Sequence, residues 1–141
     1  MFSVAIINFI ETLPDNRSTR VLTNQLIRYA TSVGAKYRSA CKGKSTADFI
    51  NKIIIVEEEA DESQYWLELM ELSGLIHADT VKPLQQEAKE LTAIFTAVGK
   101  TAKENSRLSK KFEIEHSKFE IKISANLSLS SLFCSKFHLF Y

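Results

Sequence analysis

Lysine and arginine cluster in one segment of the chain that contains no carboxylate. Residues 16–44 hold seven of the 18 Lys and Arg residues, although the formal charge of the whole chain is only +1. Guanidinium and ammonium groups bind phosphate oxygens, and each phosphate that they neutralise on a nucleic acid releases a counterion. The segment therefore predicts a nucleic-acid-binding surface. Its cations are Arg17, Arg20, Arg28, Lys36, Arg38, Lys42 and Lys44.

On a helix, five of these cations fall within an arc of about 80°, opposite the apolar residues of the same segment. We name these five residues the basic stripe, and Lys36 and Lys44 flank it. They are Arg17, Arg20, Arg28, Arg38 and Lys42.

The next segment has the opposite charge, with eight carboxylates and one cation, Lys52, in residues 48–71. The two segments could neutralise one another, within a subunit or between subunits, and bind no nucleic acid. Exposed ion pairs contribute only about 0–1 kcal/mol each, so such pairs would set partner choice more than stability. Arg28 carries the same ambiguity, because it could pair with Glu58 or Glu62 or contact RNA.

Residue types that catalyse reactions or bind metals lack the spacing that such sites need. A di-metal bundle requires Glu-x-x-His on two helices, and only Glu113 and His116 show this spacing. No phosphate loop or nucleophile motif is present in the sequence. We therefore predict a non-enzymatic protein with no catalytic residues, metal site, cofactor or small-molecule substrate.

Four segments repeat apolar residues at alternating steps of three and four, which is the period of a helix face. Short connections between them force successive helices to lie antiparallel. The pattern predicts an all-α fold, an antiparallel up-down-up-down four-helix bundle over residues 1–103 with a non-bundle C-terminal extension. The apolar series run from Phe2 to Leu13, from Leu22 to Ala40, from Phe49 to Met70 and from Leu84 to Ala102.

Polar residues and glycines mark the helix ends. Ser45 or Thr46 is expected to cap the start of the third helix. Gly43 and Gly74 are expected to end the second and third helices in the left-handed conformation.

Residues 104–141 depart from the bundle pattern. Lys-Phe-Glu-Ile occurs at Lys111 and again at Lys118, and the residues from Phe119 to Ile123 alternate between apolar and charged, as in a strand. A heptad interpretation also fits Phe112 and Phe119. We predict that this segment is an appendage, extended or disordered.

The N-terminal residues lack the features of a signal peptide, and no apolar run has the length of a membrane span. We expect a cytoplasmic protein with no membrane partner.

The third helix has a second apolar face, which indicates a contact with another subunit. A bundle helix with one buried face is otherwise polar on its outer side. Self-association is expected through this face, with Trp66 as an anchor because large aromatic side chains dominate interface energetics. The predicted interface residues are Ile54, Tyr65, Trp66, Leu69 and Leu72.

Residues 24–70 closely resemble the bacterial four helix bundle protein family, also called 23S rRNA intervening-sequence proteins, and the resemblance extends over about residues 4–103. The matching positions are Gln25, Leu26 and Arg28; Ser32, Val33 and Ala35; and Glu62, Tyr65, Trp66 and Leu67. The resemblance implies an antiparallel bundle that forms ring-like homo-oligomers, with a pentamer as the expected form, and no enzymatic activity. Some members are encoded within insertions of ribosomal RNA genes.

These observations favour an oligomeric, non-enzymatic bundle that binds RNA through the basic stripe. The alternative is a scaffold or protein-interaction module whose basic and acidic helices pair between subunits without nucleic acid.

Overall fold

The computed structural model describes the backbone of residues 2–137 and the side chains of residues 2–122. Four α-helices account for most of these residues, and the described part of the chain contains no strand. Short connections, residues 11–16, 41–45 and 73–77, join consecutive helices. The helices are α1 (Phe2–Ile10), α2 (Arg17–Ala40), α3 (Thr46–Leu72) and α4 (Ala78–Phe137).

Hydrogen bonds between α1 and α2 and between α3 and α4 show that the helices of each pair run antiparallel. The start of α1 contacts the second half of α2, and later residues of α3 contact earlier residues of α4. The predicted all-α four-helix bundle is therefore confirmed. The bonds are Ser3 Oγ to the Ala30 carbonyl at 2.7 Å, Gln85 Nε2 to Glu71 at 2.8 Å and Thr96 Oγ1 to Glu57 at 2.6 Å.

One apolar core joins the four helices within residues 1–103. Ile6, Leu26, Ile53 and Val81, one from each helix, are fully buried. Burying a side chain of this size stabilises the fold by about 1.5–3 kcal/mol, so the core is the main source of stability.

The buried face of α2 differs from the predicted series near both ends of the helix. Thr19 and Thr23 are buried, Leu22 is only half-buried against the core, and Tyr37 remains 45% exposed. The hydroxyl of Thr23 donates to the Thr19 carbonyl at 2.8 Å, so this polar side chain is satisfied inside the bundle.

Polar side chains cap the starts of α2 and α3. The side chain of Asn16 accepts a hydrogen bond from the Thr19 amide at 2.9 Å. Ser45 accepts from the Asp48 amide at 3.1 Å, which confirms Ser45 as the cap. The Asp48 carboxylate in turn accepts from the Lys44 amide at 2.9 Å, so this short connection is fixed at both sides of the cap.

The two glycines after α2 and α3 have different roles. Gly74 has a φ of +71°, the left-handed conformation that was predicted. Gly43 has no positive φ, so the same prediction is wrong for it. A Cβ on Gly43 would lie 3.0 Å from the Ala40 carbonyl oxygen and 3.2 Å from the Phe49 nitrogen. Gly43 therefore permits the close approach of the two helix ends.

The chain divides into two compact units, Met1–Lys103 and Glu104–Tyr141. In the second unit the helix continues to Phe137, which corrects the expectation of an extended segment. The Lys-Phe-Glu-Ile repeat recurs after seven residues, about two helical turns, and residues 104–137 contain no Gly or Pro to end a helix. Residues 138–141 lie outside the described residues.

Within its described residues, none of the helices has an apolar stretch long enough to cross a membrane.

Replacing Gly43 by Ala is expected to destabilise the bundle by about 1–3 kcal/mol, because the added methyl group would meet backbone atoms that cannot rotate away. Gly34→Ala is the matched control. This residue lies within α2, and a Cβ there would meet only Ser3 Oγ, at 3.9 Å. The control should be stabilising by up to about 1 kcal/mol, since Ala is the better helix former. Urea unfolding measures both, and equal stability of the two variants would contradict the role given to Gly43.

Candidate nucleic-acid interface

All seven predicted cations are exposed on the bundle, in two local settings. Five lie on α2, whereas Lys42 and Lys44 lie in the connection that follows the helix. The helical arc that placed Lys42 on the basic stripe therefore does not apply to it. Lys42 nevertheless lies beside Arg38, because both residues line the same surface depression.

Arg20 is the one member of the basic stripe that has a carboxylate partner within the described side chains. Its guanidinium group forms a two-point ion pair with Asp15, in which Nη2 donates to Oδ2 at 2.8 Å. The hydrogen bond from Arg20 lowers the pKa of the Asp15 carboxyl group. Both side chains are exposed, and the pair uses one cation of the stripe, whereas the others have no ion-pair partner among the described side chains.

No ion pair joins α2 to α3 among the side chains of residues 2–122. The single cation of the acidic segment, Lys52, bonds to Asp48 of its own helix at 3.0 Å. The pKa of Asp48 is lowered, first by the Lys44 amide and then by Lys52. The described side chains of α2 and α3 therefore do not neutralise one another through ion pairs within the subunit.

Positive charge on α2 nevertheless influences one carboxylate of α3. Partial burial raises the pKa of the Glu59 carboxyl group, and the charges of Lys36 and Arg28 oppose this rise. Glu59 has no ion-pair partner among the described side chains. The positive charges of α2 therefore act on Glu59 through longer-range electrostatic interaction, without forming an ion pair.

Arg28 contacts the aromatic side chain of Tyr29 instead of the carboxylates Glu58 and Glu62. Its guanidinium carbon lies 4.5 Å from the centre of the Tyr29 ring, and Nη2 donates to the Tyr29 hydroxyl. Tyr29 stacks on Trp66 of α3, with ring centres 6.4 Å apart. Arg28 is exposed, so it remains accessible to a ligand from the side away from Tyr29.

The predicted interface residues of α3 do not share one environment. Ile54, Trp66 and Leu69 are half-buried, whereas Tyr65 is 54% and Leu72 85% exposed. Trp66 packs against the core and meets the edge of Tyr65, with ring centres 5.1 Å apart. The oligomer interface stays a prediction, and Tyr65 and Leu72 are its most accessible members.

Lys52 is the cation that sequence reasoning did not include in the basic surface. It lies on α3, within the acidic segment, but it shares a surface depression with residues from the end of α2. A sequence signal did exist, since Lys52 is seven residues beyond the short connection that folds α3 back along α2. The depression is lined by Ala35, Arg38, Ser39, Lys42 and Lys52.

Residues for metal binding do not converge in the part of the chain whose side chains are described, where no three His, Cys, Asp or Glu side chains form a group that could hold an ion. The arrangement that the structure presents is a positively charged surface on a helical bundle, built from exposed arginine and lysine side chains.

The fold and this surface define the protein as an all-α helical bundle with a positively charged face. The comparisons define the family more closely. The model of the family described as 23S rRNA-intervening sequence protein matches residues 1–97, and the chain belongs to this family. The resemblance stated from the sequence is thereby confirmed.

A crystal structure from Bacteroides thetaiotaomicron has a similar fold. It is described as a protein with unknown function from the S23 ribosomal protein family. The two chains are 33% identical, with a TM-score of 0.66, and the match covers 70% of this chain and 92% of the other. No curated protein matches this sequence significantly.

Replacing Arg28 by Ala is expected to lower the free energy of unfolding by no more than about 1 kcal/mol, the value typical of exposed cation–π pairs. Loss of one partner from a buried ion pair would instead cost about 3–5 kcal/mol. Chemical unfolding distinguishes these values. Arg28→Lys, which keeps the charge but not the planar guanidinium, is the control, and a loss of several kcal/mol in Arg28→Ala would contradict the exposed setting.

Proposed function

We propose that this protein is a non-enzymatic, homo-oligomeric RNA-binding bundle whose basic stripe contacts the sugar-phosphate backbone. The observation that carries the proposal is the exposure of these cations together with the absence of carboxylate partners for all of them except Arg20, within the described side chains. The family name connects its members with ribosomal RNA, which favours RNA over DNA as the ligand. Such a role agrees with the cytoplasmic location expected from the sequence.

The length of the stripe suits a nucleic-acid backbone better than a small anion. Arg17 and Arg38 are separated by 21 residues of one helix, which corresponds to about 30 Å at a rise of about 1.5 Å per residue. A ligand that contacts both ends must carry negative charge over this distance. Nucleic acids do so, because every nucleotide contributes a phosphate.

The binding is expected to be weakly selective for sequence. Phosphate contacts position a protein on a nucleic acid but do not identify bases. Affinity should therefore depend strongly on salt and little on base sequence, as expected for backbone recognition.

The double variant Arg38→Gln/Lys42→Gln is expected to bind a fluorescently labelled RNA hairpin more weakly than the wild type. The plot of log affinity against log salt should become flatter by about 0.7–0.9, the value of one lost phosphate contact, because both cations lie at the same surface depression. Fluorescence anisotropy over a series of salt concentrations measures both quantities.

Lys89→Gln/Lys100→Gln is the matched control for this experiment, because it removes the same charge from exposed positions on α4 that have no ion-pair partner among the described side chains. It should leave the salt slope nearly unchanged. Arg20→Gln should also have a small effect, because Asp15 already neutralises Arg20. Equal losses in the stripe variant and the α4 control would contradict a localised binding surface.

A scaffold without nucleic acid is the second candidate, and the unpaired acidic surface of α3 favours it. Exposed carboxylates at Glu58, Asp61, Glu62 and Glu68 have no cationic partner among the described side chains. In this candidate, they would pair with the basic stripe of another subunit. High salt would then reduce the size of the oligomer, whereas an oligomer held by apolar contacts would persist.

We propose that Tyr65 and Leu72 contribute to the oligomer interface, with a pentamer as the expected assembly. They are the large, accessible apolar side chains of the predicted α3 face. Tyr65→Gln/Leu72→Gln is expected to weaken self-association at least about tenfold, which is about 1.4 kcal/mol. Sedimentation velocity over a range of protein concentrations measures this change.

Ile94→Gln serves as the control for self-association, because Ile94 is 53% exposed on a different helix. An unchanged assembly in the α3 variant, or an equal loss in the control, would contradict this interface.

A further inference from the structure

We propose that the depression between the end of α2 and the start of α3 is a phosphate-binding subsite, in which Arg38, Lys42 and Lys52 hold one backbone phosphate group. This inference rests on the proposed RNA-binding function and assigns one part of the basic surface to one chemical group. It adds Lys52, a residue of the acidic segment, to that surface.

The antiparallel turn brings the subsite together. The connection over residues 41–45 is short, and Gly43 allows the helix ends to approach closely. Ser45 and Asp48 fix the start of α3 through hydrogen bonds to backbone amides. Lys52 lies one turn beyond Asp48 and therefore stands beside the last turns of α2. Cations from α2, from the connection and from α3 thus line one depression.

The chemical character of the lining suits a phosphate group. Arg38 can donate two parallel N–H groups to phosphate oxygens, and Lys42 and Lys52 supply compact positive charges. The hydroxyl of Ser39 is a further donor, and Ala35 completes the lining. No carboxylate and no aromatic ring belongs to this lining. A phosphate would therefore meet donors from two helices, whereas a nucleobase would find no ring on which to stack.

Asp48 reduces the net positive charge at the subsite. It holds Lys52 at 3.0 Å, and it also accepts the Lys44 amide. The side chain of Lys52 is still 30% exposed, and an ammonium group has three N–H donors. Lys52 can therefore keep its bond to Asp48 and donate to a phosphate. The negative charge of Asp48 nevertheless opposes phosphate binding.

Neutralising Lys52 and neutralising Asp48 should change RNA affinity in opposite directions. Lys52→Gln should weaken binding of the labelled RNA hairpin and flatten the salt slope by less than about 0.7–0.9, the value of one whole phosphate contact, because Arg38 and Lys42 still hold the same phosphate. Asp48→Asn should strengthen binding, since it removes a nearby negative charge while the amide oxygen of Asn still accepts the Lys44 N–H. A purely structural role for this ion pair would make both variants less stable and move affinity in one direction.

The ion pair of Lys82 with Asp79 at the start of α4 provides matched controls. Lys82→Gln and Asp79→Asn change the formal charge by the same amounts, and both should leave RNA affinity and the salt slope nearly unchanged. Circular dichroism and urea unfolding establish that each variant is folded. If Lys52→Gln behaves as Lys82→Gln does while the wild type binds RNA, the subsite is overturned and the RNA-binding function stands.

Inorganic phosphate distinguishes the source of the ligand. If the wild type binds the hairpin and inorganic phosphate competes only weakly, the phosphate belongs to RNA, as proposed. If the wild type does not bind RNA but phosphate raises its Tm and not that of Lys52→Gln, a free phosphate is the ligand and the RNA-binding function is overturned. If neither probe binds, both the subsite and the function are overturned.

Discussion

The packing of α2 against α3 through uncharged surfaces is the constraint on which the charge distribution depends. Leu26 and Ile53 are fully buried in the shared core, and Tyr29 stacks on Trp66 beside it. These contacts occupy the junction, and the cations of α2 are exposed, as are four carboxylates of α3, Glu58, Asp61, Glu62 and Glu68. Exposed pairs between them would add little stability, so neutralisation does not determine how the helices pack. The result is a bundle with separate positive and negative surfaces, each able to meet a partner.

Much of the bundle could be predicted because its periodic residues are also its buried residues. Leu26, Val33 and Ala40 on α2 occupy the expected face. The prediction fails at Tyr37, where a periodic aromatic side chain remains exposed. It also fails at Thr23, which is buried although it is polar. An apolar pattern omits this residue, because its hydroxyl is satisfied by the backbone of its own helix. These departures occur where local hydrogen bonding or the end of a helix competes with the apolar pattern.

The candidate site was less accessible to sequence reasoning, since its members come together through the turn between two helices. A helical projection treats Lys42 as part of α2, but the helix ends at Ala40. The same projection separates Lys52 from Arg38, although both line one depression. Arg28 shows a further limit, because charge counting favours a carboxylate partner where the neighbouring ring of Tyr29 is the one available. The environments of Lys42, Lys52 and Arg28 depend on which residues meet in space, and a pattern of charges along the sequence does not contain this information.

Lysine acetylation of the unmodified protein, followed by mass spectrometry with and without the RNA hairpin, tests the central claim most directly. If RNA lies on this surface, the exposed side chains of Lys36, Lys42 and Lys44 should react freely without RNA and become protected when RNA binds. Exposed lysines of α4, such as Lys82 and Lys89, should react equally in both conditions. Protection of the first group without RNA that disappears at high salt would instead place the acidic helix of another subunit on this surface, and would contradict the account.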